Sequence, residues 1–277
     1  MTAINNICKE ICRWYTENDL VINPKKTEFI IQCKKSDEHI TENITLNMNG
    51  SVIPTSKKIK SLGLTKDNLS TWTEHITNLN KKCSKLIWIL RSLKHKLNNI
   101  QLKTLAEALI VSNIKYMILL YGKATKKALQ PLNKILKDTF NIVTHGNTIM
   151  KEKGEWLNIS ELYTLTKSTL AYKAVNEMVP DYFKNIVNKE AIVKCSTRRR
   201  EYETVDTTKC TSMQYEYTVE WSKVPEYIRN AKHTKQFCAE YKKYIIENRF
   251  KMHEPNMDMP FLDEVITAVQ NLYRNTI

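Results

Sequence analysis

Ile76, Leu79, Cys83, Leu86, Leu90, Leu93 and Leu97 recur at intervals of three and four residues. That period brings side chains to one face of an α-helix, and a run this long cannot be satisfied by a strand. Thr71 and Glu74 supply the polar-x-x-acid pattern of a capping box at its start. Leu102, Leu105, Leu109, Asn113, Tyr116, Met117 and Leu120 predict a second helix, apolar on most sides and therefore central. Leu129, Leu132, Ile135, Leu136, Phe140 and Val143 predict a third, with Pro131 in its first turn. Three such helices with short links make an antiparallel bundle. Trp72, beside the helix start, and Trp88 read as packing residues, and His75 as structural.

The chain before this run has a different period. Ile4, Ile7, Cys8, Ile11, Cys12 and Tyr15 place one apolar face on a helix over residues 3–18. Pro24 holds an extended stretch open, and Glu28 to Cys33 reads as a strand. Ile44, Leu46 and Met48 alternate with polar residues ahead of Asn49-Gly50, a strong hairpin signal, with Val52 and Ile53 on the returning arm. Ile59 to Leu64 reads as a further short strand. Beyond a polar break from Gly146 to Gly154, helices are expected over 159–178, 234–249 and 261–274, with 181–220 less regular. The fold class is therefore α+β and mostly α: a small N-terminal antiparallel sheet with one helix, a helical bundle, and further C-terminal helices.

Charge is concentrated in the bundle. Between residues 57 and 145 there are 17 lysines and arginines against 4 acids, an excess of 13 within a chain whose formal charge is +14. Such asymmetry points to a polyanion, with nucleic acid the first candidate. The competing reading is a solvated lysine-rich helical surface. The five glycines are too scattered for a dinucleotide fingerprint or a P-loop. Cys195, Cys210, His233 and Cys238 match no common zinc spacing. Seven cysteines without a C-x-x-C pair, and no apolar leader in the first 20 residues, predict an intracellular protein, nuclear or cytoplasmic, rather than a secreted one. No run approaches the roughly 18 apolar residues of a membrane span.

Four segments, in order, resemble one family. Trp14, Asn18, Leu20, Asn23, Lys26, Thr27 and Glu28 follow the pattern W, N-x-L, N-x-x-K-T-E. Lys60, Leu62, Gly63, Leu64, Asp67, Trp72, His75 and Ile76 match K-x-L-G, D-x-x-L, W-x-x-H-I. The stretch "LAYKAVNEMVPDYF" and the tail "EWSKVPEYIRNAKHTKQFCAEYKKYI", with Ser222 where asparagine is usual, complete the series. Together they resemble the reverse transcriptases of non-LTR (LINE-type, jockey-like) retrotransposons, over the part that follows the catalytic motif.

The resemblance implies a division of the chain. Residues 1–66 would be a palm remnant with a primer-grip-like sheet, 67–145 a basic thumb-like bundle, and 146–277 a C-terminal helical region. The family's Y/F-x-D-D turn, whose aspartates hold Mg²⁺, has no counterpart, and no two aspartates are adjacent. The expected function is that of a truncated RNA-directed DNA polymerase fragment that binds nucleic acid but does not polymerise alone. No catalytic residue, metal ligand or cofactor is assigned to this chain. The expected partners are an RNA or DNA template–primer and a separate palm-bearing polypeptide, with no membrane. The expected nucleic-acid contacts are Lys26, Lys57, Lys58, Lys60, Gly63, Lys81, Lys82, Lys85, Lys94 and Lys96. Lys26 has a family counterpart near the incoming nucleotide. Gly63 fits either close approach to a primer or a tight strand turn. Arg198, Arg199 and Arg200 form either a phosphate patch or a solvated loop. The alternative is a non-catalytic interaction protein, or a vestigial one, with no nucleic-acid role.

Overall fold

The computed structural model describes residues 2–41, 44–48, 50–146, 156–196 and 201–249. The fold is α+β and mostly α, and among the described residues the strands form small antiparallel pairs. The chain divides into two compact units, one made of residues 1–153 and 158–167, the other of 154–157 and 168–277. Among the described residues no helix is long and apolar enough to cross a membrane. Asn49, the three arginines 198–200 and the helix expected over 261–274 lie outside the described residues.

The first unit opens with α1 (Thr2–Glu17). Hairpin β1 (Thr45–Met48) and β2 (Ser51–Pro54) closes with Met48 opposite Ser51, and Gly50 takes φ +77° in the turn. Alternation turns Leu46 and Met48 to one side, where with Ile53 and Cys8 of α1 they form a core joined by Cys12, Ile22 and Phe29. α1 uses only part of its apolar surface there: Ile4, Ile7, Ile11 and Trp14 face solvent. The strand expected at Glu28–Cys33 is instead an extended segment held by one parallel bridge, Phe29 to Thr55, and by the Cys33 N–H on the Asn68 carbonyl. A short helix α2 (Glu38–Thr41) precedes β1. The stretch expected as a single strand turns back on itself, because Leu62 (φ 49°) and Gly63 (φ 82°) both adopt left-handed backbone. The result is hairpin β3 (Lys58–Ser61) and β4 (Leu64–Asp67), with Ser61 opposite Leu64.

The bundle follows. α3 (Thr73–Leu93) buries Ile76, Leu79, Cys83, Ile87 and Leu90. It packs against α7 (Lys126–Val143), which buries Leu129, Leu132, Ile135, Leu136, Thr139, Ile142 and Val143. α7 starts earlier than its apolar run suggested, capped by the Thr125 side chain, so Pro131 lies inside it rather than in its first turn. The expected second helix is broken. It comprises α4 (Asn99–Ala106), a π-helical stretch (Glu107–Val111), α5 (Ser112–Lys115) and α6 (Ile118–Tyr121). The break falls at Met117, in left-handed backbone at φ 54°. Its buried residues are Leu102, Ala106, Ile110, Ile114, Ile118 and Tyr121, whereas Tyr116, Met117 and Leu120 of the expected apolar set are exposed, because the break turns that end of the run outward.

Helix α8 (Ile159–Val175) contributes its first residues to the first unit and its remainder to the second. The second unit continues with α9 (Asp181–Lys184), hairpin β5 (Ile192–Ser196) and β6 (Glu201–Val205), α10 (Ser212–Ser222), α11 (Glu226–Arg229) and α12 (Thr234–Asn248). The region expected to be irregular therefore carries a hairpin and a capped helix. α10 has the reciprocal Thr211–Gln214 capping box. The core of this unit is aromatic: Phe237 stacks on Tyr172 at 4.4 Å and lies 6.3 Å from Trp221. Arg229 bridges Glu203 at 2.8 Å and donates to the carbonyls of Val224 and Ser222.

Candidate nucleic-acid interface

The end of β4 sets the start of α3. The Asp67 carboxylate accepts from the N–H groups of Thr71 at 2.9 Å and Trp72 at 2.8 Å, and from the Thr71 hydroxyl. The expected Thr71–Glu74 capping box does not form. The Thr71 side chain is drawn to Asp67, and Trp72 occupies the cap position in left-handed backbone without a side-chain bond. Glu74 is free to pair with Lys58 instead, at 3.0 and 3.1 Å.

That pair stands in a cleft of about 490 Å³ between hairpin β3–β4, α3 and α5. Lys58, Lys60, Gly63 and Lys82 line it together with Glu28 and Glu74. Lys82 donates to Asn113 Oδ1 at 2.6 Å, and Tyr116 donates to the Leu62 carbonyl at 2.8 Å. The structure thus brings together four of the residues expected to contact nucleic acid. A Cβ on Gly63 would lie 3.8 Å from the Tyr116 ring, an ordinary contact, so space does not require glycine there. Its φ of +82° does, which favours the tight-turn reading of this residue.

The other expected contacts are distributed differently. Lys81 and Lys85 point to the solvent side of α3, on the ridge Lys81, Lys85, Trp88, Ser92 at i, i+4, i+7 and i+11. Lys94 and Lys96 lie beyond the C-terminal end of α3, away from the cleft lining. Lys26, in a 3-10 turn (Pro24–Lys26), and Lys57 are exposed but do not line the cleft. The lysines of the 57–145 segment do not gather on one side. Lys126, Lys127, Lys134 and Lys137 cover the solvent side of α7, while α3 and α7 pack on each other. Amphipathic helices in one bundle necessarily turn their charged faces outward in different directions.

Trp88 overturns its expected packing role, since it is 71% exposed. The helical wheel carried the signal: residue 88 falls opposite the Leu79–Cys83–Leu90 seam. Trp72 is half-buried, its ring 6.3 Å from that of His75. His75 itself is buried beside Tyr121, ring to ring at 5.1 Å, in keeping with a structural role. Its Nε2 has no hydrogen-bond partner, and burial pushes its pKa down. Burial also pushes the Cys83 thiol up to about 11, the mark of an inert core cysteine.

Among the described residues no group of three His, Cys, Asp or Glu side chains could hold a metal ion. Glu28 and Glu74 share the cleft, but Glu74 is held by Lys58. Two glutamates, one of them neutralised by Lys58, do not fit a Mg²⁺ site. No family model, curated protein or solved structure matches the chain.

Proposed function

We propose that this chain is the post-catalytic part of a non-LTR-type reverse transcriptase, binding an RNA or DNA template–primer through phosphate contacts without polymerising alone. The observation that carries the proposal is the placement of Lys81 and Lys85. Neither has an acidic partner among the described residues, and both stand on the outward ridge of α3, next to the cleft that holds Lys58, Lys60 and Lys82. The four ordered motifs support the family part of the reading. The lack of any Asp-Asp pair supports its non-catalytic part. The exposed stripe Ile4, Ile7, Ile11 and Trp14 on α1 supports a separate partner polypeptide.

The test is an anisotropy titration of a labelled RNA–DNA hybrid against the full chain. Binding at 50 mM salt is expected, and about six phosphate contacts would lose roughly a thousandfold in affinity between 50 and 200 mM. No binding at 50 mM overturns the proposal. Primer extension with and without an added polypeptide carrying the aspartates tests the non-catalytic part: extension by this chain alone would refute it.

The same α1 stripe also favours a second reading, a helical interaction protein with no nucleic-acid role. Under that reading Lys81→Glu, Lys82→Glu and Lys85→Glu together leave every readout unchanged.

A further inference from the structure

The proposed phosphate contacts leave one exposed group unused. Trp88 projects from the middle of α3, directly in line with Lys81 and Lys85, and makes no ring contact among the described residues. A lone surface apolar residue needs no explanation. Trp88 is not a lone feature, however, because it continues a row of cations. Lys81 and Lys85 are about 6 Å apart along the axis, and Trp88 lies about 4.5 Å beyond Lys85. No acid interrupts the row between Lys81 and Trp88, and Glu74, a turn and more before it, is occupied by Lys58.

Two lysines in line with an exposed indole complement a nucleic-acid strand. The ammonium groups follow a phosphate backbone, and the indole takes the flat face of a base. Paired, stacked bases inside a duplex offer no such face; an unpaired base does. We propose, resting on the nucleic-acid reading above, that the Lys81–Lys85–Trp88 ridge is a single-strand site, with the backbone on the two lysines and an unpaired base stacked on Trp88. The ridge is distinct from the cleft, where Lys58 and Lys82 are already engaged with Glu74 and Asn113.

The experiment compares the full chain with its Trp88→Ala, Trp88→Phe and Lys81→Ala/Lys85→Ala variants. Each is titrated at 50 mM salt with a labelled oligothymidylate and with a duplex of equal phosphate count. Trp88→Ala is expected to weaken the single strand about tenfold, the lower part of the 1–3 kcal/mol range for one stacked base, and to leave the duplex unchanged. Trp88→Phe is expected to keep most of the affinity but to lose the quench of tryptophan emission that the oligothymidylate produces in the unmodified protein. The lysine pair is expected to weaken both ligands. Equal affinity of Trp88→Ala and the unmodified chain for the single strand overturns this inference while leaving phosphate binding intact. Equal weakening of both ligands by Trp88→Ala does the same. Failure of the unmodified chain to bind either ligand overturns both readings. A change in sedimenting mass on Trp88→Ala would assign the residue to contact between copies of this chain, and would also overturn the single-strand site.

Discussion

The Tyr116 hydroxyl donates to the Leu62 carbonyl at 2.8 Å, across 54 residues of sequence. The bond ties the break in the second bundle helix to the tip of hairpin β3–β4, and so fixes one wall of the cleft. Tyr116→Phe removes it. Because Tyr116 is half-exposed, the expected loss of unfolding free energy is about 0.5–1 kcal/mol. Gly63→Ala acts on the same tip through its positive φ and should cost about 1–2 kcal/mol. Urea unfolding followed by circular dichroism measures both, and no change in either variant would mean the tip is not held as described.

Gly122 is required for a different reason. Its φ is ordinary, but an added Cβ would meet the Ile118 carbonyl at 2.6 Å as well as the Tyr163 ring. The carbonyl is backbone and cannot swing aside. Gly122→Ala is therefore expected to destabilise the first unit by about 3 kcal/mol, read as a shift of the urea midpoint.

His75 gives stability a pH dependence. Burial lowers its folded pKa below the unfolded value of ~6.5. The unfolded chain then binds the proton more readily, so the contribution is intact above pH ~6.5 and is lost as pH falls from there towards the depressed folded value. The unmodified protein should melt at lower temperature at pH 5 than at pH 7.5. His75→Phe, which keeps the aromatic contact with Tyr121, should reduce that difference.

In the second unit, Arg229 uses its planar fork on Glu203 and reaches two backbone carbonyls while lying 5.6 Å from the Trp221 ring. Both partners are largely buried. Lysine cannot reproduce that geometry. Arg229→Lys should cost about 2 kcal/mol in urea unfolding, with the loss confined to the transition of the second unit.

Local period made α3, α7 and the β1–β2 hairpin legible in the sequence, because Cys83, Leu132 and Gly50 each act through neighbours a turn or a residue away. Long-range ties were not legible. Nothing near Met117 announces the break, which the Tyr116 hydroxyl ties to the Leu62 carbonyl 54 residues away. Reading Leu62–Gly63 as mid-strand failed because only one of the two turn residues is glycine. The lysines were legible as a charge excess, but their sides were not. Those depend on which face each helix buries, and even Trp88, whose exposure the wheel of α3 could have shown, was read as packing.

Salt dependence separates the two groups of lysines. Each phosphate neutralised contributes about 0.9 to the slope of log affinity against log salt on a duplex. Lys81 and Lys85 are free, so Lys81→Ala/Lys85→Ala should reduce the slope by about 2 if each contacts one phosphate. Lys58 is already neutralised by Glu74 at 3.0 Å. Lys58→Ala exposes an unpaired carboxylate in the cleft, so it should lower duplex affinity more through repulsion than through a lost contact. Glu74→Gln should raise affinity by freeing the Lys58 ammonium group, an effect that fades at high salt because exposed charges are screened. Anisotropy titrations of the three variants from 50 to 200 mM salt check these outcomes. A slope unchanged in the Lys81→Ala/Lys85→Ala variant would place the duplex elsewhere on the protein.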